Sequence, residues 1–249
     1  MACNPQMENV VFLQRLIYDY SYMALFLLTT AYFLFLYFGL APIFQYVCRW
    51  LHKSNVLQRI VARPVSSEQI RFEIGNSLRS IVIFGFSSWP LVYLIRKGVI
   101  TLLPDSVFNV VAGLIILTLW NEVHFFIIHR TMHLQFFMRR VHTIHHRSVV
   151  PTVYAVYSFH WFEALMLSTV SLTIAPFVSF SPVAIGLYPL VSVLLNYAGH
   201  CNYRFGAGNG APWKTLGTRH AEHHVKQSKN YGFASHLLDW LTSFYDRQK

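Results

Sequence analysis

Long apolar blocks alternate with short basic or histidine-bearing stretches along this chain. Residues 22–47 (YMALFLLTTAYFLFLYFGLAPIFQYV) form the first block. It is long enough for a transmembrane helix, because roughly 20 apolar residues cross about 30 Å of hydrocarbon. Pro42 is expected to bend or end that helix, since its ring crowds the preceding turn and it has no N–H to give. Residues 80–95 predict a short second span and residues 107–128 a third. From Phe162 to Ala198 the chain is apolar again, but Pro176, Ser179, Ser181 and Pro182 interrupt it. That pattern predicts a helical hairpin whose arms barely cross the bilayer, or re-enter on the side they left. Past Cys201 the composition turns polar, with GAGNGAP as a loop and residues 215–247 as a soluble, partly helical cap. The expected fold is an all-α integral membrane protein with four or five transmembrane or re-entrant helices and a histidine-rich helical cap. An N-terminal anchor over 1–117 precedes a second unit over 118–249.

Composition agrees with lipid as the solvent: 54% of the 249 residues are hydrophobic and 12% are charged. The formal charge of +10 sits between or beside apolar blocks, where it meets anionic headgroups, so nucleic acid is not an expected partner. Residues 49–79 carry Arg49, Lys53, Arg59, Arg63, Arg71 and Arg79 against Glu68 and Glu73, which predicts an interfacial basic segment. The positive-inside rule makes it cytoplasmic. The third span then returns to the cytoplasm beside Arg130, Arg139, Arg140 and Arg147, and both hairpin arms bring His160 and His200 to the same level. Arg96 and Lys97, on the opposite side, weaken the asymmetry slightly. Cys3, Cys48 and Cys201 make no CxxC pair and no disulfide framework. The N-terminus has no basic region leading directly into a short apolar core, so the first span is expected to do the targeting. An endoplasmic reticulum membrane and a bacterial inner membrane both fit.

The chemistry lies in three histidine groups: HRTMH at 129–133, HTIHH at 142–146 and HAEHH at 220–224. Imidazoles at helical spacings of three and four share a face, so each group can offer two or three metal ligands. His129, His133, His142, His145, His146, His220, His223 and His224 exceed what one ion can use and argue for a dinuclear centre. Imidazole donors suit iron, zinc, copper or nickel. His124 stands about 140° away from His129 around a helix and is excluded. His52 and His236 are read as structural. A metal-transport protein is the alternative from another class, but transport ligands usually lie near mid-span and include carboxylates, whereas these groups lie at span ends and beyond. GAGNGA at 206–211 fits a dinucleotide fingerprint only by letter, because no strand precedes it and Pro212 follows.

The three boxes, with RHAEHH at 219–224 followed by NYGF at 230–233, resemble the fatty acid hydroxylase and sterol desaturase superfamily over about residues 118–246. The resemblance implies a membrane enzyme in which two irons activate dioxygen to attack an unactivated C–H bond of a fatty acyl, sterol or related lipid. The outcome is a hydroxyl group or, in the alternative, a double bond. Zinc can stand in for iron in purified protein. Electrons come from an external donor resembling cytochrome b5 or ferredoxin. The resemblance also implies further ligands: His200 in NYAGHCNY matches one, Asn196 stands where some members carry another histidine, and His160 in SFHWFE resembles a His-Pro-x-Glu element. Glu122 is expected to hold an imidazole N–H beside the metals, with Glu163 and Asp239 as weaker candidates. Arg130 and Arg219 adjoin ligand histidines and could grip a headgroup or carboxylate. Tyr154, Tyr157, Phe159 and Trp161 could line a lipid channel.

Overall fold

The structure, a computed structural model, describes residues 14–204, 218–227, 229–235 and 237–246. Helices α1 (Tyr22–Lys53), α2 (Ser67–Arg96) and α3 (Val107–Met132) precede a short helical segment α4 (135–146) and a broken apolar helix α5 (Trp161–Ile174). Helix α6 (Pro182–His200) follows, then α7 (Thr218–Lys226) and α8 (Leu237–Asp246). Among the described residues the sheet is limited to β1 (Gln58–Arg59) paired antiparallel with β2 (Tyr203–Arg204). Helices α1, α2, α3 and α6 are each long and apolar enough to cross a membrane. Their outer faces stay apolar, with Leu27, Phe35, Ile115 and Leu119 more than half exposed. This is a multi-pass helical membrane protein.

All four long helices begin the same way. Ser21, Ser66, Ser106 and Ser181 each accept the N–H three residues on, at 3.1–3.2 Å. Such a cap contributes about 1 kcal/mol in water. The contribution matters more where lipid offers no alternative partner. A Cβ at Gly85 would meet Thr30 Oγ1, and one at Gly113 would lie 2.8 Å from Ala184 Cβ. Helices α1 and α2, and likewise α3 and α6, therefore approach at backbone distance, the mode of packing open to helices in lipid.

Three boundaries differ from the sequence reading. The first helix does not end at Pro42 but runs to Lys53, because a π turn, Phe35–Gly39, just ahead of the proline relieves its crowding of the preceding turn. The segment 49–79 is not a continuous interfacial stretch: α2 already starts at Ser67, and its early polar residues point inward. Glu73 is fully buried and accepts from Gln69 and Thr152, while Ser77 donates to the Tyr154 carbonyl. The hairpin is uneven. Its first arm, α5, breaks at Thr169 and is about 21 Å long at 1.5 Å per residue, short of a span, whereas α6 is long enough.

Buried side chains form two clusters. One, around Leu36, Tyr37, Ile81 and Tyr197, lies towards the histidine-bearing end; the other, around Ile95, Leu117, Ile174 and Phe180, lies towards the opposite end. Between them runs an apolar cavity of about 340 Å³, lined from α1, α2, α3, α5 and α6. Phe125, Phe159 and Phe233 line its histidine end, and Ile95 and Pro182 its far end.

Candidate metal centre

Four elements deliver histidines to one place. His129 and His133 come from the last turn and cap of α3, and His200 from the end of α6. His142, His145 and His146 come from α4, whose π turn Met138–His142 leads into the box, and His220, His223 and His224 from α7. The rings sort into two adjoining groups. His129, His133, His142, His146 and His223 form one; His145, His200, His220 and His224 form the other; within each, the ligand atoms all lie within 4.8 Å of one another. His142 and His145 rings stand 5.6 Å apart and His146 and His224 rings 5.2 Å apart, so the groups share a wall.

The boxes are thus interlaced. In α4 the i, i+4 pair His142 and His146 serves the first group and His145 the second; in α7 the i, i+4 pair His220 and His224 serves the second group and His223 the first. Adjacent positions on a helix diverge by about 100°, so a box written HxxHH necessarily faces two ways.

The tautomers follow from the partners. His129 Nδ1 lies 2.9 Å from the Tyr231 carbonyl, His223 Nδ1 2.5 Å from the Lys229 carbonyl and His200 Nδ1 3.0 Å from the Asn196 carbonyl. A carbonyl oxygen only accepts, so these nitrogens carry the proton and each Nε2 presents a lone pair. Yet His223 Nε2 stands 3.0 Å from His133 Nε2 and 3.2 Å from His146 Nε2, and His200 Nε2 stands 3.2 Å from those of His220 and His224. The buried His129 Nε2 has no hydrogen-bond partner among the described residues. With metal–nitrogen distances of about 2.1 Å, two ligands of one ion stand about 3.0 Å apart at right angles and about 3.4 Å apart in a tetrahedron. Where both facing nitrogens present lone pairs, as they do in metal ligands, that separation is repulsive unless a cation lies between them. The residues present therefore fit a metal ion in each group.

Burial disfavours the protonated form of six of these rings. It lowers His133 to about 3 and His223 to about 4, and holds His145, His146, His220 and His224 well below the ordinary imidazole value, with neighbouring imidazoles adding to the effect. In each case the folded value lies below the unfolded one, so the folded state binds fewer protons between the two. The associated stability is complete above about pH 6.5 and is lost as pH falls towards the folded values. Thermal denaturation of metal-free protein is therefore expected to move to lower temperature between about pH 7.5 and pH 5. An unchanged midpoint would mean that the rings are not buried neutral.

Glu163 is buried beside this site, with Oε1 2.8 Å from His142 Nδ1. It orients that ring and is the one carboxylate among the three candidates that meets an imidazole. Glu163→Ala is expected to weaken metal binding about 10- to 100-fold, and Glu163→Gln, which still accepts, by much less. Metal content of the purified variants checks both.

Other candidates lie elsewhere. His160 joins neither group: its Nδ1 accepts the Phe162 N–H at 3.2 Å and caps α5. Glu122 holds no imidazole; it accepts from the Ala234 and Ser235 N–H groups at 3.0 and 3.2 Å. Asp239 likewise accepts from Tyr231 and Gly232, each at 2.9 Å. The two carboxylates pin the 229–235 loop, and the loop's carbonyls orient His129 and His223. The Asn196 side chain donates to the Val156 carbonyl, and its contribution to the site is its own carbonyl on His200. His124 meets Thr169 Oγ1, and His52 the Leu57 carbonyl, away from both groups; His236 and the GAGNGA stretch lie outside the described residues. The Arg130 guanidinium lies over the Phe126 ring, and Arg219 is half-buried. Tyr157 and Phe159 line the cavity, whereas Trp161 is exposed and Tyr154 packs on Tyr37.

The loop carbonyls escape a reading of side-chain types, yet NYGF carries their signal. Asn230 has φ 64°, a left-handed conformation asparagine tolerates, and a Cβ on Gly232 would collide with the Ser235 carbonyl. No solved structure matches this chain. The fatty acid hydroxylase family model matches residues 114–243, which is more than half of the sequence and takes in most of α3, the three boxes, His200 and the carboxylate-pinned loop. The match covers the helices that bring these imidazoles together, and the chain belongs to the fatty acid hydroxylase family.

Proposed function

We propose that this protein is a membrane-bound, dioxygen-dependent di-iron enzyme that hydroxylates an unactivated C–H bond of a lipid. The observation that carries the reading is the pair of adjoining imidazole groups, with Nε2 atoms 3.0–3.2 Å apart, packed against Phe125 and Phe159, which line one end of an apolar cavity between membrane-length helices. Bound iron would supply dioxygen activation and hydrogen abstraction, which no side chain can perform.

The chain's own residues prepare the reaction. Imidazoles from both groups hold the metals, Glu163 and the 229–235 loop fix ring orientation, and Phe125, Phe159 and Phe233 keep water from the boundary between site and cavity. Hydroxylation takes up dioxygen, two electrons and two protons and releases the alcohol and one water. The electrons come from a separate donor resembling cytochrome b5 or ferredoxin, and exposed Arg139, Arg140 and Arg147 beside the second box offer it a basic surface. The charge distribution supports a cytoplasmic histidine-bearing end.

Mass spectrometry of lipids from cells expressing the protein, with metal analysis of the purified chain, tests the reading. Iron in the protein and a lipid product gaining one oxygen are expected. Loss of two hydrogens instead would make it a desaturase working from the same centre. Metal flux into proteoliposomes without any oxidised lipid would favour a transport role.

A further inference from the structure

Of the nine histidines that converge in the two groups, eight are buried, none of them more than 4% exposed. His133 is the exception and is only half-buried. Its ring is also less tethered than several others. His129, His142, His200 and His223 each set Nδ1 against an oxygen, whereas among the described residues His133 makes contacts of hydrogen-bond length only through Nε2, to His146 and His223.

Among the described residues, five rings meet that of His133. Four belong to fellow ligands, His129, His142, His146 and His223, with centroids 4.7–5.1 Å away; the fifth is Tyr231, at 4.9 Å. Tyr231 also meets His129 and His223, so a half-buried phenol covers three ligands of the five-imidazole group. Its backbone is fixed, because its N–H donates to Asp239 and its carbonyl accepts from His129 Nδ1. The ring can therefore swing aside without releasing His129, by the kind of rotamer change that partly exposed side chains make readily.

The four-imidazole group has no such edge. His145, His200, His220 and His224 are all buried, and two rings packed on them, Phe159 on His145 and Phe125 on His220, line the apolar cavity. Among the described residues that cavity has no charged side chain in its lining, so a dication crossing it would give up its water for nothing equivalent. The shared wall offers the easier path. There the His142 and His145 rings stand 5.6 Å apart and the His146 and His224 rings 5.2 Å apart, so nitrogen donors are in reach throughout.

Resting on the metal reading of this site, we infer that divalent cations enter and leave both groups through one port at His133, with the Tyr231 ring as its cover. His133 meets the cation first, the five-imidazole group fills, and the four-imidazole group is supplied across the shared wall.

The test uses purified, metal-free, full-length protein in detergent, with Co2+ as the probe. Diethyl pyrocarbonate acylates accessible neutral imidazoles, and mass spectrometry locates the adducts. His133 is expected to react at least about tenfold faster than the other eight, whose exposure needs local opening, and to be protected once Co2+ is bound. Tyr231→Ala is expected to speed both Co2+ uptake, followed by visible absorption, and release to excess EDTA by about tenfold at unchanged final content, while Tyr231→Phe keeps the original rates. A buried histidine reacting first, even labelling of all nine, or unaltered rates in Tyr231→Ala would overturn the inference. Faster release without faster uptake would mark a weakened site instead of an opened port, and would overturn it too. The labelling order in the unaltered protein decides the matter even if Tyr231→Ala misfolds. Absence of any Co2+ uptake would sink the metal reading itself, whereas uptake by a protein whose His133 resists labelling would sink the port alone.

Discussion

Replacing His223 with alanine is expected to abolish product and to lower bound metal, with the protein still inserted in the membrane. His223 Nε2 is within 3.2 Å of the corresponding atoms of both His133 and His146, and its Nδ1 is fixed on the Lys229 carbonyl. Alanine removes one donor of five and leaves the Lys229 carbonyl without that partner. Losing an outer partner of a ligand typically costs 10- to 100-fold in affinity or activity, so losing the ligand itself is expected to cost at least about 100-fold in turnover. His145→Ala should do the same through the other group, where one donor of four is lost. Metal analysis, product quantification and membrane fractionation of the same preparation separate a site defect from a folding defect. Full turnover by His223→Ala would remove that residue from the ligand set.

The second large effect is expected from a residue that touches no ligand. Glu122→Ala releases the Ala234 and Ser235 N–H groups, and with them the loop whose carbonyls orient His129 and His223. Two ligands of the five-imidazole group lose their orientation together, so metal affinity is expected to fall by about 100-fold, the upper end for an outer partner. Glu122→Gln keeps an accepting oxygen and should retain most of the metal. Metal titration of the two variants against the unaltered protein measures the difference. Equal affinity in all three would detach this loop from the site.

Much of this architecture is legible in the sequence because it rests on periodicity and residue type. Long apolar blocks predict the spans, and histidines at spacings of three and four predict convergence. What escapes has physical causes. The start of α2 looks like an interfacial strip because Arg71 and Arg79 dominate its composition, while Gln69 and Ser77 donate to the Val150 and Tyr154 carbonyls and buried Glu73 accepts from the Thr152 hydroxyl, contacts made across the fold. The roles of Glu122 and Asp239 hinge on backbone N–H groups that carry no letter in the sequence. His160 shows the reverse: an imidazole in a family-like position, diverted to cap a helix.

Interlacing of the boxes has a consequence for assembly. Neither α4 nor α7 can rotate to improve its fit to one cation without turning a ring away from the other, so a cation held by either group freezes both helices. A second cation would then meet donors already in place and bear little of the ordering entropy, so the two binding events are expected to be positively cooperative. Half-filled protein should be scarce at every stage of loading, and a chelator that strips one ion should strip its neighbour with it.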